Sequence, residues 1–363
     1  MRGSWGNNLH LTLFGESHGA AIGMVVDGLP IGMDVDEEAI AKDMARRAPG
    51  RDPTATARRE ADTVRIVSGV YRGKTTGAPL CGIIENTNTR SGDYEKLKTR
   101  MRPGHADYAG YVKYKGMNDP RGGGHFSGRL TAPLVFAGAL ARQALRLRGV
   151  ECAAHIAAIA DVCDDAFDPV RVDADQLRAL REEKFPLLRP EQETPMRARV
   201  EEARMALDSV GGVIECAVTG VPAGWGAPFF GSVESTAAGL LYSIPAVKAV
   251  EFGDGMAISR LRGSQANDPL EIRDGAVTMR TNHNGGVTGG ITNGMPVICR
   301  VTIKPTPSIG QEQDSVNIET MQNEKLAIVG RHDPCIVLRA VPVVESALML
   351  ALLDLALEEE TRK

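Results

Sequence analysis

The sequence predicts one large, interleaved α+β domain, on three observations. Strand-patterned and helix-patterned segments are interspersed along the whole chain. The stretch from Val344 to Glu360 carries Leu348, Leu350, Leu352, Leu353 and Leu355 around much of a helical circumference, which suits a central helix better than a peripheral one. No serine-rich linker or charge run marks a domain boundary in the 363 residues, a length that gives ample core to one large domain.

His10 to Phe14 alternates like a strand, the loop GESHG (15–19) follows, and Ala21 to Asp27 reads as a second strand. After the turn GLPIG (28–32), Asp36 opens a helix through Ile40, Met44 and Ala45 that stops at Ala48-Pro49-Gly50. Val64–Tyr71 and Pro79–Glu85 read as paired strands. Asn86 to Gly124 shows little periodicity and reads as one long functional loop. A helix is expected near 131–148, a strand over 153–162, helical pieces within 166–193 and a charged amphipathic helix near 194–209. A strand then leads into GVPAG, Glu234–Tyr242 is helical, and Val247–Phe252 and Met295–Lys304 are strands. VVDGLPIG and AVTGVPAG, each followed by a helical stretch, suggest an internal duplication within the single domain.

Composition narrows the function. A net charge of −4 gives no global field for nucleic acid or anionic membrane, so an anion site must come from local clustering. Aromatic residues at 4% are too few for base-stacking platforms. Six scattered cysteines without a CxxC read as reduced thiols of a cytoplasmic protein, and no segment is read as reaching transmembrane length. SGVYRGKT ends like a P-loop but has three residues between its glycines, and RGGGHFSGR lacks the register of GxGxxG, so neither nucleotide signature holds.

Three patterns remain. RGGGHFSGR (121–129) contains Ser127, a fitting helix N-cap, and its glycines suit either close approach to a ligand at an anion-binding corner with Arg121 and Arg129, or a plain hairpin. His18, His105, His125, His283 and His332 all lie in glycine- or proline-marked loops, without the spacing of a zinc site, so no metal is expected and acid–base work fits them better. Arg46, Arg47 and Arg51 flank a helix end, and Arg129, Arg331 and Arg339 sit in or beside the His-bearing loops, a set suited to phosphates and carboxylates of a small anionic metabolite. Asp333, in GRHDP, reads by itself as a plain turn residue or N-cap; HNGGVTGGITNG (283–294) reads as a phosphate cradle or a flexible hairpin.

Taken together, GESHG, RPGHADY (102–108), RGGGHFSGR, SIPAVKAVEFGDG (243–255), RGSQAND (262–268), HNGGVTGGITNG and GRHDPC (330–335) resemble the chorismate synthase family from about residue 5 to about residue 355. The resemblance implies a β-α-β sandwich with long central helices between antiparallel sheets, a homotetramer, and a lyase. Its reaction would convert 5-enolpyruvylshikimate 3-phosphate to chorismate and phosphate by 1,4-anti elimination, with reduced FMN from an external flavin reductase or other source of reduced flavin; whether NADPH serves the chain directly is left open. It further implies catalytic roles for His18, His105 and Asp333. FMN contacts would fall to His125, Phe126, Ser127, Pro245, Ala246, Gly289, Lys304, Pro305, Thr306, Pro307, Ser308 and Arg331, and substrate contacts to Arg46, Arg47, Arg51 and Arg129. Two positions depart from the family pattern: His125, where Arg or Gln is common and where histidine makes the local charge pH-dependent, and Pro53, where some members carry arginine and Arg51 is the nearest substitute.

Overall fold

The computed structural model describes residues 3–50, 62–86, 98–328 and 333–361. Two five-stranded antiparallel sheets enclose a helical layer. The first has the order β1-β2-β3-β7-β4, from β1 (Ser4–Trp5), β2 (His10–Gly15), β3 (Ala21–Asp27), β7 (Leu80–Glu85) and β4 (Arg65–Ser68). The second has the order β11-β16-β10-β8-β9, from β11 (Val247–Phe252), β16 (Val297–Ile303), β10 (Gly212–Thr219), β8 (Glu151–Ile159) and β9 (Val162–Cys163). Four two-stranded hairpins decorate the rim: β5 (Val70–Tyr71) with β6 (Lys74–Thr75), β12 (Leu270–Arg273) with β13 (Ala276–Met279), β14 (Val287–Thr288) with β15 (Ile291–Thr292), and β17 (Gln313–Asn317) with β18 (Gln322–Leu326).

The helices are α1 (Glu37–Arg47), α2 (Asp107–Tyr114), α3 (Thr131–Arg146), α4 (Ala174–Glu182), α5 (Glu193–Met205), α6 (Val233–Leu241), α7 (Gly263–Ala266) and α8 (Val337–Thr361). α3 packs on β3 and β7 of the first sheet, α8 on β8 and β10 of the second, and the two helices pack on each other. The sandwich predicted from the family resemblance is therefore the observed architecture. A side chain at Gly138 would meet Ser346 Cβ at 2.1 Å, so the missing side chain is what lets α3 and α8 touch. Local chemistry sets the helix starts: the Asp36, Asp173 and Ser232 side chains accept from Ala39, Gln176 and Ser235 backbone N–H groups.

Three expectations are corrected. Residues 86–124 are not one loop, because α2 forms inside them; its few core contacts hide its period, and only Gly110 of the helix is buried. α8 starts at Val337 rather than Val344 and carries Pro342 inside, where Ser346 Oγ donates to the Pro342 carbonyl. α8 is also long and apolar enough to cross a membrane by length and composition, contrary to the reading of the sequence, yet 94% of its most apolar window is buried within the protein.

Buried polar groups pin this layer together. Asp354 Oδ1 on α8 accepts from the backbone N–H groups of Asn7, Asn8 and Leu9, at 3.1, 2.7 and 2.7 Å. Glu345 receives both Arg46 Nη1 (2.7 Å) and Nη2 (2.8 Å), Arg142 Nη2 (2.9 Å) and the Ala154 N–H (3.0 Å). On the second sheet, Glu251, Arg300, Glu215 and His155 stand in cross-strand register and Asp164 closes the row, giving alternating charges across β11, β16, β10 and β8.

Candidate active site

The three glycines of Gly122–Gly124 all have positive φ, at 60°, 84° and 55°. They form a tight coil rather than a hairpin, and the coil brings two histidines together. A side chain on Gly122 would lie 2.2 Å from His18 Cε1 and Nδ1; one on Gly123 would lie 3.3 Å from His105 Cε1 and Nε2. The glycine backbone is thus packed between the two imidazoles, and the Ser17 N–H donating to the Gly124 carbonyl (3.1 Å) ties the GESHG loop to it. His18 is buried.

His105 is oriented from behind. Its Nδ1 lies 2.6 Å from Asp107 Oδ1, so Nδ1–H donates to the carboxylate and Nε2 is turned to the Gly123 side. Arg102 Nη2 is 3.2 Å from the same Nδ1, but arginine only donates, so it cannot share that atom as a second hydrogen bond. Arg102 instead clamps Asp107 through Nε (2.7 Å) and Nη2 (2.8 Å). Burial works to raise the Asp107 pKa, but hydrogen bonds from Arg102 and His105 outweigh it and hold the carboxyl well below the usual range.

From Ser127 the site continues as a line of charge. Ser127 Oγ accepts from the Arg129 N–H (3.3 Å) and caps the turn that leads into α3, as its sequence position implied. Arg129 Nε donates to Asn86 Oδ1 (3.2 Å), and Asn86 Nδ2 reaches the carbonyls of Glu16 and Gly19 (3.0 and 2.9 Å). Arg129 Nη1 and Arg47 Nη1 both donate to Asp62, the latter at 2.6 Å. Arg47 also donates to Thr131 Oγ1 (3.1 Å) and the Gly128 carbonyl (3.0 Å). Arg339 Nε donates to the Arg47 carbonyl (3.2 Å), and its Nη1 pairs with Asp333. Burial and the neighbouring charges of Arg339 and Arg129 bring the Arg47 pKa down to about 10, while Asp62 opposes the shift.

The segment 304–308 borders His105 from the other side. Lys304 Nζ donates to the Gly104 carbonyl, Arg102 Nη1 approaches Ser308 Oγ (3.4 Å), and a side chain on Gly104 would meet Pro307 Cβ at 3.3 Å. Pro305 lies between them in sequence and is exposed. The Ala246 carbonyl accepts from the Lys304 N–H (2.9 Å), with Ala246 held at φ 76° beside Pro245. Thr306 Oγ1 is buried with no hydrogen-bond partner among the described residues. A ligand with polar edges would satisfy it, and the adjoining cations Lys304 and Arg102 suit an anionic cofactor such as FMN. His125 Nδ1 meets the Gly15 carbonyl (2.9 Å), and Phe126 lies against Gly110 and Tyr114 of α2.

Some expected residues stand apart. Arg46 turns to Glu345 inside the helical layer, one step around α1 from Arg47, and so is not brought to this line. Arg121 pairs with Asp119 (2.8 Å) at an exposed position rather than in an anion corner. Gly289 lines an open depression of about 490 Å³ with Pro228, Phe229, Ser232 and Glu234, none of them members of the line. Arg51 and Arg331 lie outside the described residues. Sequence reasoning missed Asp62, Asn86, Asp107 and Thr131; Asp107, two residues after His105 in RPGHADY, carried a local signal, whereas Asp62 became significant only through folding. Among the described residues no group of three His, Cys, Asp or Glu side chains is placed to hold a metal ion.

Two histidines packed on one glycine coil, a neighbouring run of paired arginines and carboxylates, and no nucleotide-binding motif fit a small-molecule enzyme that handles anions and protons. Residues 9–357 match the family model described as Chorismate synthase. The chorismate synthase of Dehalococcoides mccartyi is 44% identical over 98% of this chain and 97% of its own length. That of Thermococcus kodakarensis is 44% identical over 96% of both. A solved structure titled "Crystal Structure of Chorismate Synthase" superposes with a TM-score of 0.75 at 26% identity, covering 98% of this chain and 93% of that one. The chain belongs to the chorismate synthase family, whose reaction is the last common step of the shikimate pathway.

Proposed function

We propose that this chain converts 5-enolpyruvylshikimate 3-phosphate to chorismate and inorganic phosphate by 1,4-anti elimination, with reduced FMN bound. The observation that carries the reading is the unbroken run of contacts from His18 through Gly122, Gly123 and Ser127 to Arg129, Asp62, Arg47, Arg339 and Asp333. It links proton-handling groups to cations through direct contacts.

The chemistry requires that the C3–O bond break with its electron pair leaving on phosphate, that C6 lose hydrogen, and that a second ring double bond form. Arg129, backed by the buried charge of Arg47, holds the substrate's anionic groups against their mutual repulsion, an electrostatic contribution that grows as water is excluded. His105, fixed by Asp107 with Nδ1 protonated, keeps Nε2 ready to accept or return a proton. His18, on the other face of the glycine coil, takes the proton balance on the cofactor side, and Asp333 assists removal of the C6 hydrogen. Reduced FMN, when bound, supplies an electron-rich ring that offsets electron demand as phosphate departs. Its holders are His125, Phe126, Ser127, Pro245, Ala246, Arg331 and the segment Lys304–Ser308, with Thr306 Oγ1 a waiting polar group, whereas Gly289 lies apart from them.

The working form is a homotetramer in the cytoplasm, supplied with reduced flavin from outside. The decisive assay mixes purified protein, 5-enolpyruvylshikimate 3-phosphate and photoreduced FMN without oxygen. Many phosphates released per flavin support the reading. No release beside an active authentic enzyme overturns it, and one product per flavin reoxidised would make the chain an oxidoreductase instead.

A further inference from the structure

Asp62 is a carboxylate where anions are meant to bind. Its side chain is fully buried, and one oxygen accepts from Arg47 Nη1 and the other from Arg129 Nη1. A permanent negative charge beside an anion seat weakens simple Coulomb attraction for the substrate, so its presence calls for another use. Arg47 is itself buried and is held at all three nitrogens by Thr131, Gly128 and Asp62. Arg129 is held at Nε by Asn86, whose amide is fixed in turn by the GESHG loop. With both arginines charged, their guanidinium groups repel, and the two oxygens of Asp62 join them. The backbone of Asp62 is left-handed, at φ 48°, which aspartate tolerates better than most residues.

We propose that Asp62 is a positioning residue for the reaction: it fixes the guanidinium of Arg129 for the substrate's anionic group and makes Arg47 the inner support of that cation. This rests on the substrate assignment above. Its effect passes through Arg129, so it depends on the presence of that side chain.

The test is a double-mutant cycle on the FMN-loaded enzyme, reading substrate affinity by titration and KM and kcat by phosphate release. D62N should weaken substrate binding about tenfold or more in the wild-type background and lower kcat less than it raises KM. In the R129A background the same D62N change should weaken binding less than twofold. Should D62N fail to fold, the charge-balanced pair R47Q/D62N, which removes the inner ion pair as a unit, replaces it, compared with R47Q alone. A D62N penalty of equal size with and without Arg129, or unchanged affinity in a folded D62N protein, overturns the proposal. If the unaltered enzyme itself does not bind the phosphorylated substrate, the functional reading fails first, and the cycle distinguishes the two failures.

Discussion

Arg46 and Arg47 are consecutive on α1, yet they belong to different parts of the molecule. Arg46 faces the helical layer, where Glu345, Asp43, Arg142 and Arg181 form a closed set anchored on α1, α3, α4 and α8. Arg47 faces the cleft, where its partners come from Asp62, the turn before α3 and, through Arg339, the start of α8. In the first set buried charges are paired between helices, so removing one partner destabilises the fold. In the second the partners sit at helix ends and loops, where ligands can compete for them. A helix turn of about 100° per residue is enough to assign two neighbouring arginines to these separate tasks.

The largest effect separating the two regions is expected from E345A. It leaves Arg46 and Arg142 buried without their carboxylate and should cost about 3–5 kcal/mol in denaturant unfolding. Retained stability with abolished turnover would break the contrast. In the cleft, H105A should lower turnover by about 10²- to 10⁴-fold while leaving the melting temperature and FMN affinity nearly unchanged; equal losses in binding and turnover would contradict its role.

The buried charges also respond to pH in opposite directions. Burial alone would raise the Glu345 pKa, but Arg46 and Arg142 outweigh it and bring it down to about 2. The Glu345 contribution is therefore present above its unfolded value of 4.5 and is lost as pH falls toward 2. His155 has carboxylates at both nitrogens, Asp164 at 2.9 Å and Glu215 at 3.0 Å, which together overcome the cost of burial and raise its pKa. Its contribution is complete below the unfolded 6.5 and disappears as pH rises through the raised folded value. Melting temperature measured against pH should fall on both sides, with H155Q removing the alkaline limb and leaving the acid limb. The smallest change is expected from E360Q, which opens the exposed Arg148 pair and should cost no more than about 1 kcal/mol.

The order of most elements was legible because each had a local pattern: β3 and β8 are buried on both faces and read as continuous apolar runs, and α1 carries its own cap. α2 was hidden by its exposure, and the first two turns of α8 by Pro342, which normally argues against a helix interior but is tolerated here in a well-packed one. In the site, His18, His105 and Arg129 stood out through glycine-rich surroundings, and the glycines proved to be the surface that packs between the imidazoles. Asp62 and Asn86 could not be seen, since their importance lies in partners 67 and 43 positions away along the chain. Arg46 pairs with Glu345 instead of joining Arg47, because sequence adjacency does not fix which side of a helix a residue shares with its neighbour.

The clasp between Asp354 and the backbone of Leu9 joins positions 345 residues apart, and the first turn of the same helix carries Arg339, which meets the Arg47 carbonyl. Kinetic ordering follows from this. A chain lacking α8 has neither the helix that covers β8 and β10 nor the arginine that bridges Asp333 to α1, so partly synthesised molecules expose the apolar face of the second sheet until α8 docks. Acquisition of activity on refolding should accordingly coincide with burial of α8 rather than with formation of either sheet.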